Sequence, residues 1–392
     1  MSSLHVAVTG PMDVRRLVEA LRMSSRSKRS VPAGRGGHSV TELALALASK
    51  TDQLDLITLD TGLDEPVAYA GNGVRLAVGT FRPEARARSL DLFSVERRFI
   101  EDSLRYWKPQ VTSAHWTYEY ALGALDSQIP TLITVRDWSP AILRHSRDAY
   151  RTVRLGMQFM TFARGKHFAA VSPYMAKRVE RVVRSEVRLL PNALGTEWFE
   201  PRIVRPTTPR ILAVNNGFGR RKNVHALLRA WPTVRRMYPS AELVLVGSGY
   251  EPGGHAWSWA AKRDLVEGVR FRGPLERHKL AGELGSATVF AHPALEESFG
   301  MVVLEAMATG VPVLGGKASG AVPWILRNGA GITVDVRRPS AIAAGLLLLL
   351  NSPSLARSTA EKGLNRARDD FSVEAVAGAY MDTLAAIAEY DA

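Results

Sequence analysis

The chain has 392 residues, of which 46% are hydrophobic and 23% are charged. This composition excludes a largely disordered chain and fits two domains of ordinary size. Lysine and arginine total 51 against 38 aspartate and glutamate, so the formal net charge is +13. The excess favours an anionic partner, such as nucleic acid, an anionic membrane surface or a phosphorylated small molecule, although a basic protein without such a partner is also common. The chain has no cysteine, which excludes disulfides, thiolate zinc sites and cysteine nucleophiles.

Two apolar segments bear on the location of the protein. The N-terminal stretch Met1–Gly10 lacks the basic region and the long apolar segment of a secretory signal. Ala341–Leu350 is apolar but far shorter than the roughly 20 residues that span a bilayer. We therefore expect a cytoplasmic protein, and peripheral association with the inner membrane face stays open.

Apolar strands alternate with helical patterns through the first half of the chain. The predicted strands are Leu4–Val8, Leu54–Leu59, Val74–Val78, Val111–Ala114, Thr131–Val135 and Phe168–Val171. The predicted helices are Val40–Ala48, Ser94–Trp107 and Arg151–Ala163. A polar, basic stretch, Arg22–Gly37, separates the first strand from the first helix. Strands that are apolar on both faces and alternate with helices predict a mainly parallel sheet covered by helices.

The same alternation begins again after a proline-rich linker near Thr196–Pro209. The predicted strands are Ile211–Val214, Glu242–Val246, Val269–Phe271, Thr288–Ala291, Val311–Leu314 and Gly331–Val334, with a helix at Val224–Met237. We therefore predict two doubly wound α/β domains, at 1–195 and 210–371. The last helix, Ser372–Tyr390, packs either on the first domain or on its own, second domain.

The most informative segment is Ala294–Leu314, ALEESFGMVVLEAMATGVPVL, in which seven residues separate Glu297 from Glu305. A predicted amphipathic helix begins between the two glutamates. Its N-terminus presents unpaired N–H groups and the positive end of the helix dipole, which suit a diphosphate. Glu305 is then placed for the hydroxyls of a ribose, and Glu297 for those of a sugar beyond the diphosphate. The residues predicted to line this diphosphate site are Ser298, Phe299, Gly300 and Met301.

This segment closely resembles the E-x7-E signature of the family 4 retaining glycosyltransferases, and its EAMATGVPV continuation is similar to that family's usual sequence. The resemblance covers nearly the whole chain, strongly from about Phe168 and more loosely before it. It implies the GT-B fold, with two Rossmann-like domains facing each other across a cleft. In that family the first glutamate contacts the transferred sugar and the second the nucleotide ribose, so these roles fall on Glu297 and Glu305.

A second motif, Asn215–Trp231, joins a strand to a helix through a glycine-containing loop that ends in Arg221 and Lys222. A guanidinium and an ammonium there can neutralise a departing diphosphate. The family has an Arg and a Lys on the donor phosphates in a similar loop, usually several residues apart, whereas here they are adjacent. The resemblance therefore implies Lys222 as a phosphate ligand and leaves either Arg220 or Arg221 as its partner. The other loop residues assigned to the donor are Asn216 and Gly217.

Features of the first domain resemble the family more loosely. Gly36-Gly37 is similar to a glycine pair that lies over the diphosphate and reacting sugar, although a plain turn fits as well. His115 and Arg136 follow predicted strands, and ligands of open α/β sheets bind beyond the carboxyl ends of strands. A buried, hydrogen-bonded imidazole is an equal alternative for His115. Arg136 replaces the histidine of a T-x-H-D segment near the reacting sugar, which implies an acidic or phosphorylated acceptor or a different hydrogen bond to the donor.

Two shorter motifs also resemble the family. Phe271-Arg272-Gly273 resembles the loop that lines the nucleobase, which assigns Arg272 to the donor. Gly315, Gly316 and Gly320 are similar to a glycine-rich loop that faces the sugar and phosphates.

A basic stretch in the first domain bears on the acceptor. Its members are Arg144, Arg147, Arg151, Arg154, Arg164, Lys166, Lys177, Arg178, Arg181 and Arg184. A basic surface in this half favours an anionic acceptor or anionic lipid headgroups, with a solvated helix face as the alternative.

The resemblance implies an enzyme that transfers a sugar from a nucleotide-diphosphate sugar to an acceptor hydroxyl with retention of configuration. It implies no cofactor besides this donor substrate. The sequence has no Asp-x-Asp motif and no His/Asp cluster at metal spacing, so we expect no catalytic metal. A sugar-nucleotide epimerase or phosphorylase on the same fold and a nucleic-acid-binding protein stay open as alternatives. The acceptor is lipid-linked, phosphorylated, nucleic acid or neutral, and the sequence indicates no oligomeric state.

Overall fold

The computed structural model describes residues 4–24, 30–34, 36–145, 147–200 and 207–391. These residues separate into two compact units, one formed by 1–193 with 373–392 and the other by 194–372. The predicted basic stretch Arg22–Gly37 and the predicted linker Thr196–Pro209, with Pro201 and Pro206, lie partly outside the described residues.

The first unit is built on an eight-stranded sheet within the described residues, with strand order β3-β4-β2-β1-β5-β6-β7-β8. Its strands are β1 (His5–Thr9), β2 (Gln53–Asp60), β3 (Val67–Gly71), β4 (Val74–Thr80), β5 (Val111–His115), β6 (Thr131–Val135), β7 (His167–Ala170) and β8 (Val187–Leu189). Neighbouring strands pair in parallel apart from β3 and β4, which are antiparallel. The order reverses direction at β1, so the carboxyl ends of β1 and β5 flank the switch point where such sheets bind ligands.

Helices cover this sheet. In chain order they are α1 (Val14–Ala20), α2 (His38–Ala48), α3 (Ala85–Leu90), α4 (Ser94–Trp107), α5 (Glu119–Asp126), α6 (Ser139–His145), α7 (Ala149–Arg164) and α8 (Pro173–Val179). The last helix of the chain, α16 (Val373–Tyr390), also belongs to this unit. Its buried residues Val376, Tyr380 and Leu384 join the core formed by α2 and the sheet. Of the two alternatives for the terminal helix, the structure has the one in which it packs on the first domain.

The second unit has a six-stranded parallel sheet, counted over its described residues, in the order β11-β10-β9-β12-β13-β14. The strands are β9 (Arg210–Val214), β10 (Glu242–Val246), β11 (Val269–Arg272), β12 (Val289–His292), β13 (Val313–Gly316) and β14 (Ile332–Val334). The helices are α9 (Val224–Met237), α10 (His255–Ala261), α11 (Arg277–Gly285), α12 (Met301–Ala308), α13 (Val322–Ile325), α14 (Pro339–Asn351) and α15 (Pro353–Phe371). This is the doubly wound arrangement, and its switch point lies between β9 and β12.

Two strands of the first unit were not predicted. β3 forms a hairpin with β4 through Asn72 and Gly73, which both have positive φ, 49° and 74°. Asn-Gly between two strands is a strong hairpin signal, and alternating burial along β3 is the pattern of an edge strand. β8 has only three residues, too few to give a periodic pattern.

No single helix in the described ranges is long and apolar enough to cross a bilayer, and only α14 with α15 passes when joined, across a bend of 99°.

Candidate active site

The candidate site of the second unit lies at the switch point of its sheet. β9 and β12 are parallel neighbours there, with Ile211 paired to Val289 and Leu212 to Phe290. The chain leaves β9 towards α9 on one side and leaves β12 towards α12 on the other, so a gap opens beyond the carboxyl ends of the two strands. The loop from Asn215 to Asn223 and the loop from Pro293 to Gly300 border this gap. Both motifs that the sequence singled out therefore meet at one place.

Main-chain and side-chain hydrogen bonds hold these two loops together. The Leu295 main-chain N–H donates to the carbonyl of Arg221 at 2.8 Å. The amide nitrogen of Asn223 donates to the carbonyls of Pro293, at 3.0 Å, and Val336, at 2.8 Å. Because each bond satisfies a main-chain oxygen in the loop region, the spacing between the loops is fixed without a ligand.

An ion pair joins the principal predicted residues of the two loops. The Lys222 Nζ lies 2.7 Å from Glu297 Oε1, and the two side chains are only 18% and 12% exposed. Burial raises the pKa of Glu297, but the nearby His292 and Lys222 outweigh this effect and lower the pKa to about 2. Glu297 is therefore ionised at neutral pH and neutralises the lysine charge. Arg221 is half-buried beside them, with Nη1 3.5 Å from the carbonyl of Glu296.

Two polar residues at the same edge were not selected from the sequence. His292 ends β12 and is 1% exposed, and Asn215 follows β9 and is 5% exposed. His292 Nε2 lies 3.4 Å from Glu297 Oε1, the contact through which it lowers the pKa of that carboxyl, and its Nδ1 has no hydrogen-bond partner in the described structure. Both amide atoms of Asn215 likewise lack one. Buried polar atoms are nearly always satisfied, so these unsatisfied atoms at the ends of β9 and β12 mark a place where a ligand can bind. The sequence signal that could have identified His292 and Asn215 is a polar residue at the end of an apolar strand.

The helix after Glu297 differs in one respect from the prediction. α12 begins at Met301, and five of its eight residues are buried, so it is a core helix and not an amphipathic one. Gly300 caps it with φ of 106°, a conformation that residues with a Cβ rarely adopt, and it forms no side-chain cap. Phe299 is 4% exposed and packs against Trp324 and Phe371, so it can offer a ligand only main-chain groups. Ser298 and Met301 remain half-buried.

Glu305 lies in a separate cluster on α12. Burial raises its pKa to about 7, an effect that the nearby Arg277 opposes and that Glu197 reinforces. Arg277 forms an ion pair with Glu197 at 2.8 Å and lies over the Trp198 ring, 5.0 Å from its centroid. The indole N–H of Trp198 is buried without a hydrogen-bond partner among the described residues. Glu305 is thus partly protonated at neutral pH. The sequence patterns do not identify Arg277, Glu197 and Trp198 as members of its cluster.

The other residues predicted for the donor fall in two groups. Asn216 and Arg220 are exposed in the β9 loop, and Gly217, with φ of 84°, has open space where a Cβ would point. Arg272 ends β11, and its Nη1 contacts the carboxylate of Glu283, so the structure does not bring it to the Lys222–Glu297 pair.

The predicted residues of the first unit converge at the carboxyl end of its sheet. Arg136 follows β6 and donates to His115 Nδ1, from Nε at 3.2 Å and from Nη2 at 2.9 Å. His115 is fully buried, so of its two alternatives the structure has the buried, hydrogen-bonded imidazole. Gly36 faces open space, whereas Gly37, with φ of 66°, caps α2 and would place a Cβ 2.0 Å from the carbonyl oxygen of Pro11. Only glycine therefore fits at position 37.

The predicted basic surface is smaller than its sequence suggested. Arg154 is not on the surface, because it packs over the Tyr118 ring, 3.5 Å from its centroid, and pairs with the buried Glu119. Arg151 and Arg164 pair with Asp148 and Asp126. Within the predicted basic stretch, the exposed residues without an ion pair in the described structure are Arg144, Arg147, Lys177, Arg181 and Arg184.

Over the ranges that the structure describes, no three histidine, aspartate or glutamate side chains lie together as a metal site requires.

Comparisons with known proteins bear on both halves of the chain. The model described as "Glycosyl transferases group 1" matches residues 196–366, and "Glycosyltransferase Family 4" matches residues 36–198. A phosphatidyl-myo-inositol mannosyltransferase of Mycobacterium leprae is 34% identical over 342 residues, or 84% of each chain. A GDP-mannose-dependent monoacylated alpha-(1-6)-phosphatidylinositol monomannoside mannosyltransferase of Corynebacterium glutamicum is 29% identical over 55% of this chain and 58% of its own.

The chain is also similar to a solved structure of another protein. A sucrose-phosphate synthase from Thermosynechococcus elongatus matches with a TM-score of 0.75 over 98% of this chain and 100% of its own, at 20% identity. This similarity confirms the predicted GT-B fold.

Proposed function

Because the chain belongs to the family 4 glycosyltransferases, we propose that this glycosyltransferase takes its sugar from a nucleotide-diphosphate sugar and retains the anomeric configuration. One observation carries the proposal. The Lys222–Glu297 ion pair lies at the switch point of the second unit, where the β9 and β12 loops meet. A cation for phosphate and a carboxylate for sugar hydroxyls are thereby adjacent, which a simple anion site would not need.

The second unit would hold the donor as follows. Lys222 and Arg221 bind the diphosphate together with main-chain N–H groups at the start of α12. Glu297 accepts hydrogen bonds from the hydroxyls of the transferred sugar. His292 and Asn215 supply the buried polar atoms that lack partners in the described structure, so they favour a polar ligand over an apolar one. Glu305 accepts hydrogen bonds from the ribose.

The proposed reaction breaks the bond between the anomeric carbon and the diphosphate oxygen. The electron pair leaves with the diphosphate, whose added charge Lys222 and Arg221 stabilise. The acceptor hydroxyl attacks the same face, and its proton passes to the departing phosphate oxygen, so configuration is retained without a covalent enzyme intermediate. Glu297 is already paired with Lys222, which suits hydrogen bonding better than nucleophilic attack. This scheme uses no metal and no cofactor.

For the acceptor, we propose an anionic molecule, either lipid-linked or phosphorylated. The name of the Mycobacterium leprae relative includes phosphatidyl-myo-inositol, and the first unit has exposed arginines and a lysine without ion pairs in its described part. The enzyme would then work in the cytoplasm, at the inner membrane face when its acceptor is a lipid.

A donor screen tests the proposal. Purified protein is incubated with UDP-, GDP-, ADP- and TDP-sugars, with and without acceptor candidates, and nucleoside diphosphate release is measured. We expect one nucleotide to be released, and proton NMR of the product to show the anomeric configuration of the donor. The matched variants are Glu297→Gln and Glu296→Gln, of which only the first should lose transfer. An inverted product, or conversion of the donor to an epimer without an acceptor, would contradict the proposal.

A further inference from the structure

Arg136 is held at the carboxyl end of the first unit's sheet by three partners from three separate segments of the chain. Nε and Nη2 donate to His115 Nδ1, at the end of β5. Nη1 donates to Ser39 Oγ at 2.8 Å, in the first turn of α2, and to Asn192 Oδ1 at 2.5 Å, beyond β8. Such a network fixes the plane of the guanidinium.

None of these partners carries a negative charge. Burial, followed by the charge of Arg136, lowers the pKa of His115 well below its ordinary value, so its ring is neutral and Nδ1 is an acceptor. Among the described residues, no carboxylate pairs with Arg136. The guanidinium is desolvated, which lowers its own pKa, but arginine remains charged at neutral pH. The site therefore carries an uncompensated positive charge.

Two other enclosed arginines of the same unit are paired with carboxylates, whereas the buried Arg88 stacks on the Phe81 and Phe93 rings. Arg154 pairs with Glu119 at 3.4 Å, and Arg82 pairs with Asp91 and Glu96 at 2.8 and 2.7 Å. Charges removed from water are normally paired because desolvation costs so much free energy. Arg136 departs from this rule at the edge of the sheet where ligands bind.

Part of Arg136 is accessible, because the residue is half-buried. Gly36, two residues ahead of α2, has open space where a side chain would extend. A guanidinium has five N–H donors. Its four contacts leave one N–H of Nη2 without an acceptor in the described structure. The first turn of α2 adds the positive end of a helix dipole beside Nη1.

We propose that Arg136 anchors an oxyanion-binding site in the first unit, which takes a carboxylate or phosphate group of a substrate. His115 and Asn192 are positioning residues, because they orient the guanidinium. The part played by the oxyanion in catalysis rests on the proposed sugar transfer, whereas the binding itself does not. The oxyanion belongs either to the acceptor, as a phosphate, or to the donor sugar, as a carboxylate.

Matched substrate pairs distinguish these two sources. Glucose is compared with glucose 6-phosphate, and myo-inositol with its 1-phosphate, as acceptors; sugar donors are compared with the corresponding uronic acid donors. We expect kcat/KM to favour the charged member of one pair by about 100-fold, since charge-assisted hydrogen bonds are the strong ones. Arg136→Gln should reduce this preference below about fivefold, and Arg136→Lys should keep part of it. The control Arg357→Gln, at an exposed site on α15 of the second unit, should leave it unchanged. A preference that survives Arg136→Gln, or no preference in any pair, would overturn the proposal.

A binding measurement separates this proposal from the proposed transfer. Inorganic phosphate is titrated into Lys222→Ala protein, which lacks the cation of the proposed donor site, and thermal unfolding is followed. We expect phosphate to raise the Tm of this variant by a few degrees and to leave the Lys222→Ala/Arg136→Met double variant unmoved. Arg136→Met removes an uncompensated charge but also leaves His115 Nδ1 and Asn192 Oδ1 without a donor, so the diagnostic quantity is the change in Tm that phosphate causes and not the Tm itself. An equal phosphate effect in both proteins would overturn the proposal. If the wild-type protein binds phosphate in this way but transfers no sugar, the result would count against the proposed sugar transfer alone.

Discussion

The ammonium of Lys222 and the carboxylate of Glu297 lie 2.7 Å apart, although 74 residues of the chain separate them. In the free protein each neutralises the other, so a diphosphate must compete with Glu297 for the lysine. The pair therefore holds both groups in place before the donor arrives, at the cost of weaker nucleotide binding.

The first prediction is that Glu297→Gln tightens nucleotide binding while it slows transfer. Without the carboxylate, Lys222 is free for the diphosphate, so the Kd of the nucleoside diphosphate product should fall about threefold to tenfold. Turnover should drop at least about tenfold, because a lost sugar contact costs about 1.4 kcal/mol or more in the transition state. Isothermal titration calorimetry and initial rates at saturating donor measure the two effects.

Lys222→Ala provides the complementary variant. It should weaken nucleotide binding and turnover together, since the lysine charge acts on the phosphates in the ground state and the transition state. Wild-type nucleotide affinity in Lys222→Ala would remove the lysine from the phosphate site, and unchanged turnover in Glu297→Gln would remove the glutamate from the sugar site.

The sequence alone was sufficient to predict that Lys222 and Glu297 belong to one site. The alternation of strands and helices places both loops at carboxyl ends of parallel strands, and the E-x7-E resemblance selects Glu297 without any coordinates. The partners of Arg136 could not be found in this way. Ser39, His115 and Asn192 come from three separate segments, and only the register of the sheet brings them to one guanidinium.

A second prediction concerns His292, whose Nδ1 has no hydrogen-bond partner in the described structure. His292→Phe should change the free energy of unfolding by no more than about 1 kcal/mol, because the contact with Glu297 that it removes is long and Nδ1 has no hydrogen bond to lose. Donor affinity should fall about tenfold, since the ring nitrogens are lost to the sugar nucleotide. Urea unfolding measures the stability, and donor KM with product Kd measures the affinity.

The control for His292→Phe is Phe290→Leu on the same strand, a change in a satisfied apolar core. It should lower stability by about 1 kcal/mol and leave donor affinity alone. If His292→Phe instead destabilises the protein and spares the donor, the histidine belongs to the core alone.

Glu305 gives the third prediction, which depends on pH. The folded pKa of about 7 exceeds the ordinary 4.5, so between these values the folded state holds a proton that the unfolded state has lost. Stability contributed by this group therefore falls as pH rises from about 4.5 to 7. Glu305→Gln should raise the free energy of unfolding by about 2 kcal/mol at pH 8 and leave it unchanged at pH 4, where both states are protonated.

The same proton should affect binding, because an ionised carboxylate is the better acceptor for ribose hydroxyls. Nucleotide affinity should fall about tenfold between pH 8 and pH 6 in the wild type. The nucleotide phosphate also titrates in this range, so the diagnostic quantity is the difference from Glu305→Gln, which should show only the phosphate effect. An identical pH dependence in both proteins would place Glu305 outside the nucleotide site.

Burial explains why the sequence could not supply this pH dependence. The E-x7-E spacing identified Glu305 as a ribose ligand, but its protonation is set by the enclosed position on α12 and by Arg277 and Glu197. The spacing of apolar residues predicts an amphipathic α12, whereas the helix is largely buried, because α15 covers it in addition to the sheet.

The fourth prediction concerns the exposed basic residues Lys177, Arg181 and Arg184. They form no ion pair in the described structure, and the apolar Val182 and Leu189 beside them in the chain are 39% and 43% exposed. Basic residues interspersed with exposed apolar ones fit an anionic lipid surface better than a soluble anion, because both headgroups and acyl chains find contacts.

Transfer to a lipid acceptor should then depend steeply on salt, because charges on an exposed surface are screened within about 8 Å at physiological ionic strength. We expect the rate with vesicles containing anionic lipid to fall about tenfold between 50 and 500 mM NaCl, while donor hydrolysis without acceptor stays nearly constant. Replacing Lys177, Arg181 and Arg184 by Gln should reproduce the loss at low salt and leave nucleotide affinity intact. The matched control replaces three exposed basic residues of the second unit, Arg236, Lys262 and Arg357, by Gln. It removes the same charge and should keep most of the rate. A rate that is flat across salt, or equal losses in the two triple variants, would make the first-unit basic residues incidental to the acceptor.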